Sequence, residues 1–473
     1  SHKIVTSKTV PNDSFIATDH AWERIQDPTK IVGTAKAILD DFLDEYEDIA
    51  SIGLTGQMHG VVYVDPFGKC LSPLYTWQDG RGDLAKPDGM SFVDTIKSRC
   101  GIPAATGFGL VTHISLLENA QVPEGAKSLA TIPDYLGMVL TGREMPLIHT
   151  SMAASLGFFD TEKMAFDSAS LSLMGVDPAI LPEVTEEIEV LGSYRGCSVT
   201  VALGDNQASF LGAASSPISS INVADSDEKA SCHGEADSGI KAGTLLLNMG
   251  TGGQISMLSD HYFAAPGIEA RPFLKGKYLL VGSSLCGGRA YAILEHFFRS
   301  YMKESVGSGL CQGAGDESLQ YEVMERLAEK ALERRRSISH AAKQVADSSD
   351  QATSGLLRED KSDESFKVTT TFSGTRTNPL QRGSIMGISE DNFTPENMVY
   401  GVLEGMAQEL YDLYQIIHEG TGLKPSVIMA SGKGIRKNKV LQEIFRDMFG
   451  AELHLTEHEE EAAIGVAQSA RCG

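Results

Sequence analysis

The stretch Val201-Ala202-Leu203-Gly204-Asp205-Asn206-Gln207-Ala208 carries the strongest chemical signal in the chain. An apolar, β-branched run stops at a glycine, and an acid opens what reads as a helix. That order holds a carboxylate at the mouth of a sheet, where ligands of α/β proteins gather. The positive end of the helix dipole favours the ionised form, so Asp205 is equipped to accept a proton from an alcohol. Taken alone, the same residue reads better as a helix N-cap.

A second group lies in the first half of the chain. Gln57, His59, Asp79 and Arg81 sit just beyond expected strand ends, interleaved with Met58 and Trp77. Paired donors and acceptors beside an apolar wall suit a polyhydroxylated ligand. Each residue also has a plainer role: His59 as a satisfied core histidine, Asp79 and Arg81 as a surface pair, Trp77 as core. In the second half, three glycine-bearing turns follow expected strands: Gly250-Thr251-Gly252-Gly253, Gly287-Gly288 and Gly432-Lys433-Gly434. Glycine lets successive backbone N–H groups converge into an anion cradle, to which Thr251 adds a hydroxyl donor. The chain has no Gly-x-x-x-x-Gly-Lys-Ser/Thr loop and no Gly-x-Gly-x-x-Gly opening a βαβ unit, so phosphate handling would be neither P-loop nor Rossmann.

The elements that must position these groups alternate between strand and helix. Asp27-Pro28 opens a helix, and strands are expected at 49–54, 61–64 and 198–203. Residues 244–249 and 254–258 form a hairpin with a glycine-rich tip. Thr394-Pro395 opens a long helix whose apolar stripe stops at Gly420, and a strand at 426–430 precedes Ser431-Gly432-Lys433-Gly434. Alternation in both halves gives an α/β class and two domains, 1–214 and 215–473. Residues 217–242 and 345–366 carry too little apolar surface to order themselves and are expected as surface loops. Arg334-Arg335-Arg336-Ser337 reads as a solvated helix face.

The totals agree. At 473 residues the chain is too long for one core, and 42% hydrophobic with 22% charged residues is an ordinary globular balance. A net charge of −23 opposes nucleic acid and anionic membrane as partners. Seven scattered cysteines without a Cys-x-x-Cys pair suggest neither a disulfide framework nor a zinc site, and fit a reducing compartment. With no leader and no apolar run of about eighteen residues, a cytoplasmic location is expected.

Together these segments resemble the FGGY carbohydrate kinases. Thr55-Gly56-Gln57-Met58-His59-Gly60 and Trp77-Gln78-Asp79-Gly80-Arg81 look like that family's sugar-site motifs, and Gly204-Asp205-Asn206-Gln207 its catalytic aspartate segment. Asn248-Met249-Gly250-Thr251-Gly252 is similar to its second phosphate loop. Arg382-Gly383-Ser384-Ile385-Met386-Gly387-Ile388 resembles the C-terminal signature, the run from Ser431 to Asn438 the adenosine motif, and Glu460-Glu461-Ala462-Ala463-Ile464-Gly465 the closing helix. Within the family, Ala105-Thr106-Gly107-Phe108-Gly109, Trp77-Gln78-Asp79 and Pro133-Asp134-Tyr135 are most similar to the sedoheptulokinase branch, ahead of the xylulokinases.

The resemblance implies two actin-like (ribonuclease H-like) α/β domains with a cleft between them, ATP and Mg²⁺ as cofactors, and a ketose as substrate. It implies Asp205 as general base and Gln57, Met58, His59, Asp79, Arg81 and Asn206 around the sugar. Gly250, Thr251 and Gly252 would hold phosphate, and Gly288, Gly432, Gly434 and Asn438 would frame adenosine. Two departures stand out. Thr112-His113 occupies the place where most members carry a lysine. The chain opens at Ser1-His2-Lys3, beyond where the family's Asp-x-Gly-Thr-Thr hairpin would end. That second departure leaves a sugar-binding, catalytically impaired relative as the alternative reading.

Overall fold

The computed structural model describes residues 4–214, 240–306, 317–347, 365–456 and 460–471. The stretches expected as surface loops, 217–242 and 345–366, fall outside the described residues except for 240–242, 345–347 and 365–366.

The second half is built on a six-stranded sheet in the order Ile268–Pro272, Tyr278–Ser284, Gly253–Ser259, Thr244–Met249, Val427–Ser431 and Leu453–Leu455. The first four run antiparallel, and Thr244–Met249 then pairs parallel with Val427–Ser431, as does Leu453–Leu455. Side chains alternate across the central strand, so its two faces enter different cores. Leu245, Leu247 and Met249 pack with Leu403, Met406 and Leu410 of the Pro395–Thr421 helix. Leu246 packs on the opposite side with Phe210 and Leu211 of the Asp205–Ala214 helix. That helix is therefore attached to the second-half sheet, although its first residue belongs to the end of a first-half strand.

The Pro395–Thr421 helix starts as expected, with the Thr394 side chain accepting the Asn397 N–H. It ends two residues later than expected. Gly420 stays helical because a Cβ there would lie 2.1 Å from the Phe263 ring, so glycine serves close packing at that position. Gly422 is the cap, in a left-handed conformation with φ 73°. In the Glu317–Asp347 helix, Arg336 pairs with Glu443 at 2.7 Å on the exposed side, but Arg335 departs from the expected solvated face: it is largely buried, 4.2 Å over the Tyr400 ring and 3.6 Å from Glu404, because this helix packs on the Pro395–Thr421 helix.

The first half uses short strand pairs around helices. The Pro28–Glu45 helix begins at Asp27, which accepts the Thr29 and Lys30 N–H groups. The strand expected at 49–54 is reduced to Ser51–Ile52, and that expected at 198–203 divides into Cys197–Thr200 and Leu203–Gly204. The division follows the partners: Cys197–Thr200 pairs parallel with Ser51–Ile52, and Leu203–Gly204 pairs parallel with Thr55–Gly56. At Thr112-His113, His113 is buried with its Nδ1 2.7 Å from the Tyr63 hydroxyl, and burial pushes its pKa down to about 4, so the ring is neutral in this core.

The two halves are also tied by a helix crossing. The Glu461–Ser469 helix lies so close to the Asp205–Ala214 helix that a Cβ on Gly212 would fall 1.9 Å from the Glu461 carbonyl oxygen. A Cβ on Gly465 would fall 1.9 Å from the Ala208 carbonyl oxygen.

Candidate active site between the two halves

The site starts from two strands that stop together. Thr55 is paired with Leu203 and Gly56 with Gly204, in parallel. Gln57 and Asp205 therefore leave their strands side by side, at the carboxyl ends where α/β sheets bind ligands. Met58 is buried beneath this edge, and its Cε would be 3.0 Å from a Cβ at Gly204. It belongs to the first-half core rather than to an open wall.

Asp205 is the first residue of its helix and is exposed to solvent. Desolvation by the protein packed around its carboxyl raises it above the ordinary value, against the lowering pull of the Asn206 N–H, Arg271 and His59. The charge stays accessible while its basicity increases, which suits a proton acceptor.

His59 has the left-handed backbone at φ 73°, unusual for a residue with a side chain. Ser155 holds it there. The His59 N–H donates to Ser155 Oγ at 3.0 Å, and Nδ1 lies 2.7 Å from the Ser155 carbonyl oxygen. A carbonyl only accepts, so Nδ1 carries the proton and Nε2 remains an acceptor. The ring stacks on Phe108 at 5.0 Å with planes 2° apart. Burial holds its pKa below the ordinary value, so the neutral form dominates at neutral pH.

Asp79 and Arg81 form a buried pair. Arg81 Nε is 2.6 Å from Asp79 Oδ1 and its Nη2 3.1 Å from Oδ2, while the Arg24 N–H donates to Oδ2 at 3.0 Å. Arg81 also lies 3.5 Å from Glu23 and over the Tyr75 ring at 4.4 Å. Gln57 donates through Nε2 to Gln26 Oε1 at 2.9 Å, and Trp77 is exposed.

Three residues were invisible to motif reading. Ser155 follows a helix in the middle of the first half. Arg271 and Glu269 come from the second-half strand Ile268–Pro272. Arg271 Nη1 donates to Asn206 Oδ1 at 3.3 Å, and Nε and Nη2 bind Glu269 Oε2 at 3.1 and 2.8 Å. Glu269-Ala270-Arg271 is an opposite-charge pair at i, i+2 on one strand face, the one signal in the sequence. Asn206 is thus where the halves meet.

The three glycine turns converge on one another. The Gly288 N–H donates to the Gly250 carbonyl and the Arg289 N–H to the Thr251 carbonyl, both at 3.0 Å. A Cβ on Gly287 would lie 2.4 Å from the Gly252 carbonyl carbon, and one on Gly432 or Gly434 would lie 2.5 or 2.9 Å from the Met249 carbonyl oxygen. Only glycine permits this approach. Gly250 and Thr251 are exposed, and among the described residues the Thr251 and Gly252 amides have no backbone acceptor. These unspent donors fit a polyphosphate. Asn438 caps the Lys439–Phe449 helix by accepting the Leu441 N–H at 2.8 Å, and its side chain also bears on the buried Tyr291 hydroxyl. Among the described residues no three His, Cys, Asp or Glu side chains gather as a metal cage. No helix among the described residues is long and apolar enough to cross a membrane.

Comparison with known proteins gives the family and the fold. Residues 1–215 match the N-terminal domain and residues 245–471 the C-terminal domain of the FGGY family of carbohydrate kinases. The chain is 26% identical over 459 residues to the sedoheptulokinase of Mus musculus, covering 89% of this chain and 81% of that protein. Its fold is similar to ligand-bound xylulose kinase from Lactobacillus acidophilus, with TM-score 0.69, 18% identity and coverage of 97% and 82%. It is also similar to Plasmodium falciparum glycerol kinase with ADP, with TM-score 0.70, 17% identity and coverage of 99% and 84%. The chain belongs to the FGGY family of carbohydrate kinases, and is an ATP-dependent phosphotransferase of two actin-like domains.

Proposed function

We propose that the chain transfers the γ-phosphoryl group of ATP to the primary hydroxyl of a ketose, with sedoheptulose as the preferred acceptor. The observation behind this reading is Asp205: an accessible carboxylate of raised basicity, flanked by His59 from one half and Arg271 from the other. Sedoheptulose stands ahead of xylulose because the mouse relative is a sedoheptulokinase and the 105–109 and 133–135 segments resemble that branch.

In this reading Asp205 accepts the hydroxyl proton as the oxygen attacks phosphorus. Asn206 and the free Nε2 of His59 orient the sugar. Gln57 supplies a further polar contact, and Trp77 an apolar wall. Asp79 and Arg81 stand behind the sugar site as a buried pair, with Asp79 fixing the guanidinium, and Met58 supports the strand edge from below. The Thr251 and Gly252 amides and the Gly250 turn grip phosphate, while Gly288, Gly432, Gly434 and Asn438 frame adenosine. Mg²⁺, when bound with the nucleotide, neutralises phosphate charge. The remaining work is alignment and exclusion of water, which fits a division into a sugar domain, 1–214, and a nucleotide domain, 215–473.

The test is ADP release with a panel of sedoheptulose, xylulose, gluconate and glycerol, with product identified by phosphorus NMR. The reading expects Mg²⁺-dependent turnover, the highest kcat/KM for sedoheptulose, and phosphate on a primary carbon. Ketose binding by calorimetry without any phosphorylation would replace it with a non-catalytic sugar-binding role.

A further inference from the structure

Arg271 reaches the site from the far side of the cleft. It stands on the outermost strand of the six-stranded sheet, and its side chain is 25% exposed. Glu269, on the same strand face, takes Nε and Nη2 of the guanidinium. That fixes the plane of the fork and aims Nη1 at Asn206 Oδ1, 3.3 Å away. The next residues repeat the link, because Gln207 Nε2 donates to the Pro272 carbonyl oxygen at 2.9 Å. Two consecutive residues after Asp205 are therefore stitched to two consecutive residues of the second half. Both bonds pin the first turn of the Asp205–Ala214 helix to the edge strand of the sheet it packs on.

We infer that Arg271 is a positioning residue for phosphoryl transfer, holding Asn206 in place beside Asp205. The inference rests on the reading of Asp205 as the base. It differs from a packing role in one respect, because a planar fork and a positive charge act separately. The fork orients Asn206, and the charge bears on Asp205 across the cleft.

The groups facing Asp205 are the Asn206 N–H on its own helix, His59 from the first half and Arg271 from the second, with Glu269 behind Arg271 and Arg376 3.9 Å from Glu269. Removing the guanidinium removes one of the influences that keep Asp205 ionised. The base must be deprotonated to work, so the acid limb of the rate profile then moves to higher pH.

The experiment compares Arg271→Gln and Arg271→Lys with the unaltered chain, in kcat and KM for the ketose, in the pH dependence of kcat/KM, and in the Asp205 titration followed by carboxyl NMR. Arg271→Gln should lower kcat on the order of 10²-fold, as misplacement of a reacting group does, and should move both the acid limb and the NMR titration to higher pH. Arg271→Lys keeps the charge without the fork, so it should restore the titration while kcat stays depressed. An unchanged Asp205 titration in Arg271→Gln overturns the inference, whatever happens to melting temperature. The NMR arm needs no turnover. A fully active Asp205→Asn variant would instead overturn the underlying assignment of the base, so the two failures are distinct.

Discussion

Ser155 holds His59 at two points, through its hydroxyl at 3.0 Å and its carbonyl at 2.7 Å, and so keeps a left-handed histidine with one nitrogen facing outward. Ser155 Oγ is itself satisfied, donating to the Met152 carbonyl at 2.7 Å. Ser155→Ala removes the acceptor of the His59 N–H but leaves the carbonyl that fixes the tautomer. Loss of a buried acceptor costs about 1–2 kcal/mol, so ketose affinity should fall roughly tenfold while ATP affinity is unchanged. His59→Ala should weaken ketose binding further. Calorimetric titration with ketose and, separately, with nucleotide checks both.

Asp205→Asn replaces the proton acceptor by an amide of the same shape. Turnover should fall about 10²–10⁴-fold with ketose binding retained. Stability should move the other way. The carboxyl has a raised pKa in the folded chain, so its ionisation opposes folding increasingly as pH rises above the ordinary value of 3.8. The variant should therefore melt higher than the unaltered chain at pH 7, and the gain should vanish as pH falls below that ordinary value. Paired rate and melting measurements test the two signs together.

Asp134 offers a second pH signature, in the Ile132–Thr141 helix. It is buried at the start of the Ile132–Thr141 helix, with Oδ2 accepting from Thr131 Oγ1 at 2.5 Å and Oδ1 without a hydrogen-bond partner. Burial raises its pKa from 3.8 to about 7. The unfolded chain ionises first, so stability is lost as pH rises from about 4 to about 7 and then levels off. Asp134→Asn should flatten that segment of the melting-temperature profile. A parallel slope in both proteins would count against this assignment.

Gly432→Ala tests the phosphate turns. Gly432 has φ 88° and its absent Cβ would lie 2.5 Å from the Met249 carbonyl oxygen. Strain and displacement together should cost about 1–3 kcal/mol and separate the Gly432 turn from the Gly250 turn. The expected outcome is a raised KM for ATP with ketose affinity intact, read by steady-state kinetics and calorimetry.

Local signals in the sequence carried well where a side chain acts on its own backbone. Asp27 before Pro28, Thr394 before Pro395 and the glycine tip between Met249 and Gly253 all form the expected caps and turn. They failed where a distant residue decides. Gly420 reads as a helix stop until Phe263 is known to press on it. Asp79 and Arg81 read as a surface pair, yet the segment carrying Trp22, Glu23 and Arg24 covers them. At the site, Asp205, Asn206 and His59 stood out because glycines and strand ends surround them. Ser155 and Arg271 had no such punctuation, since their importance comes from what folding brings opposite them.

The crossing of Gly212 over Glu461 and of Gly465 over Ala208 has a mechanical consequence. Carbonyl oxygens occupy the space of the missing methyl groups, so these two rods share a single axle with almost no play. Any tilt of the Glu461–Ser469 rod is delivered to the first turn of the other, where Asp205, the proposed base, sits. Bulk introduced at either glycine would wedge that axle and misalign chemistry from a place no substrate visits.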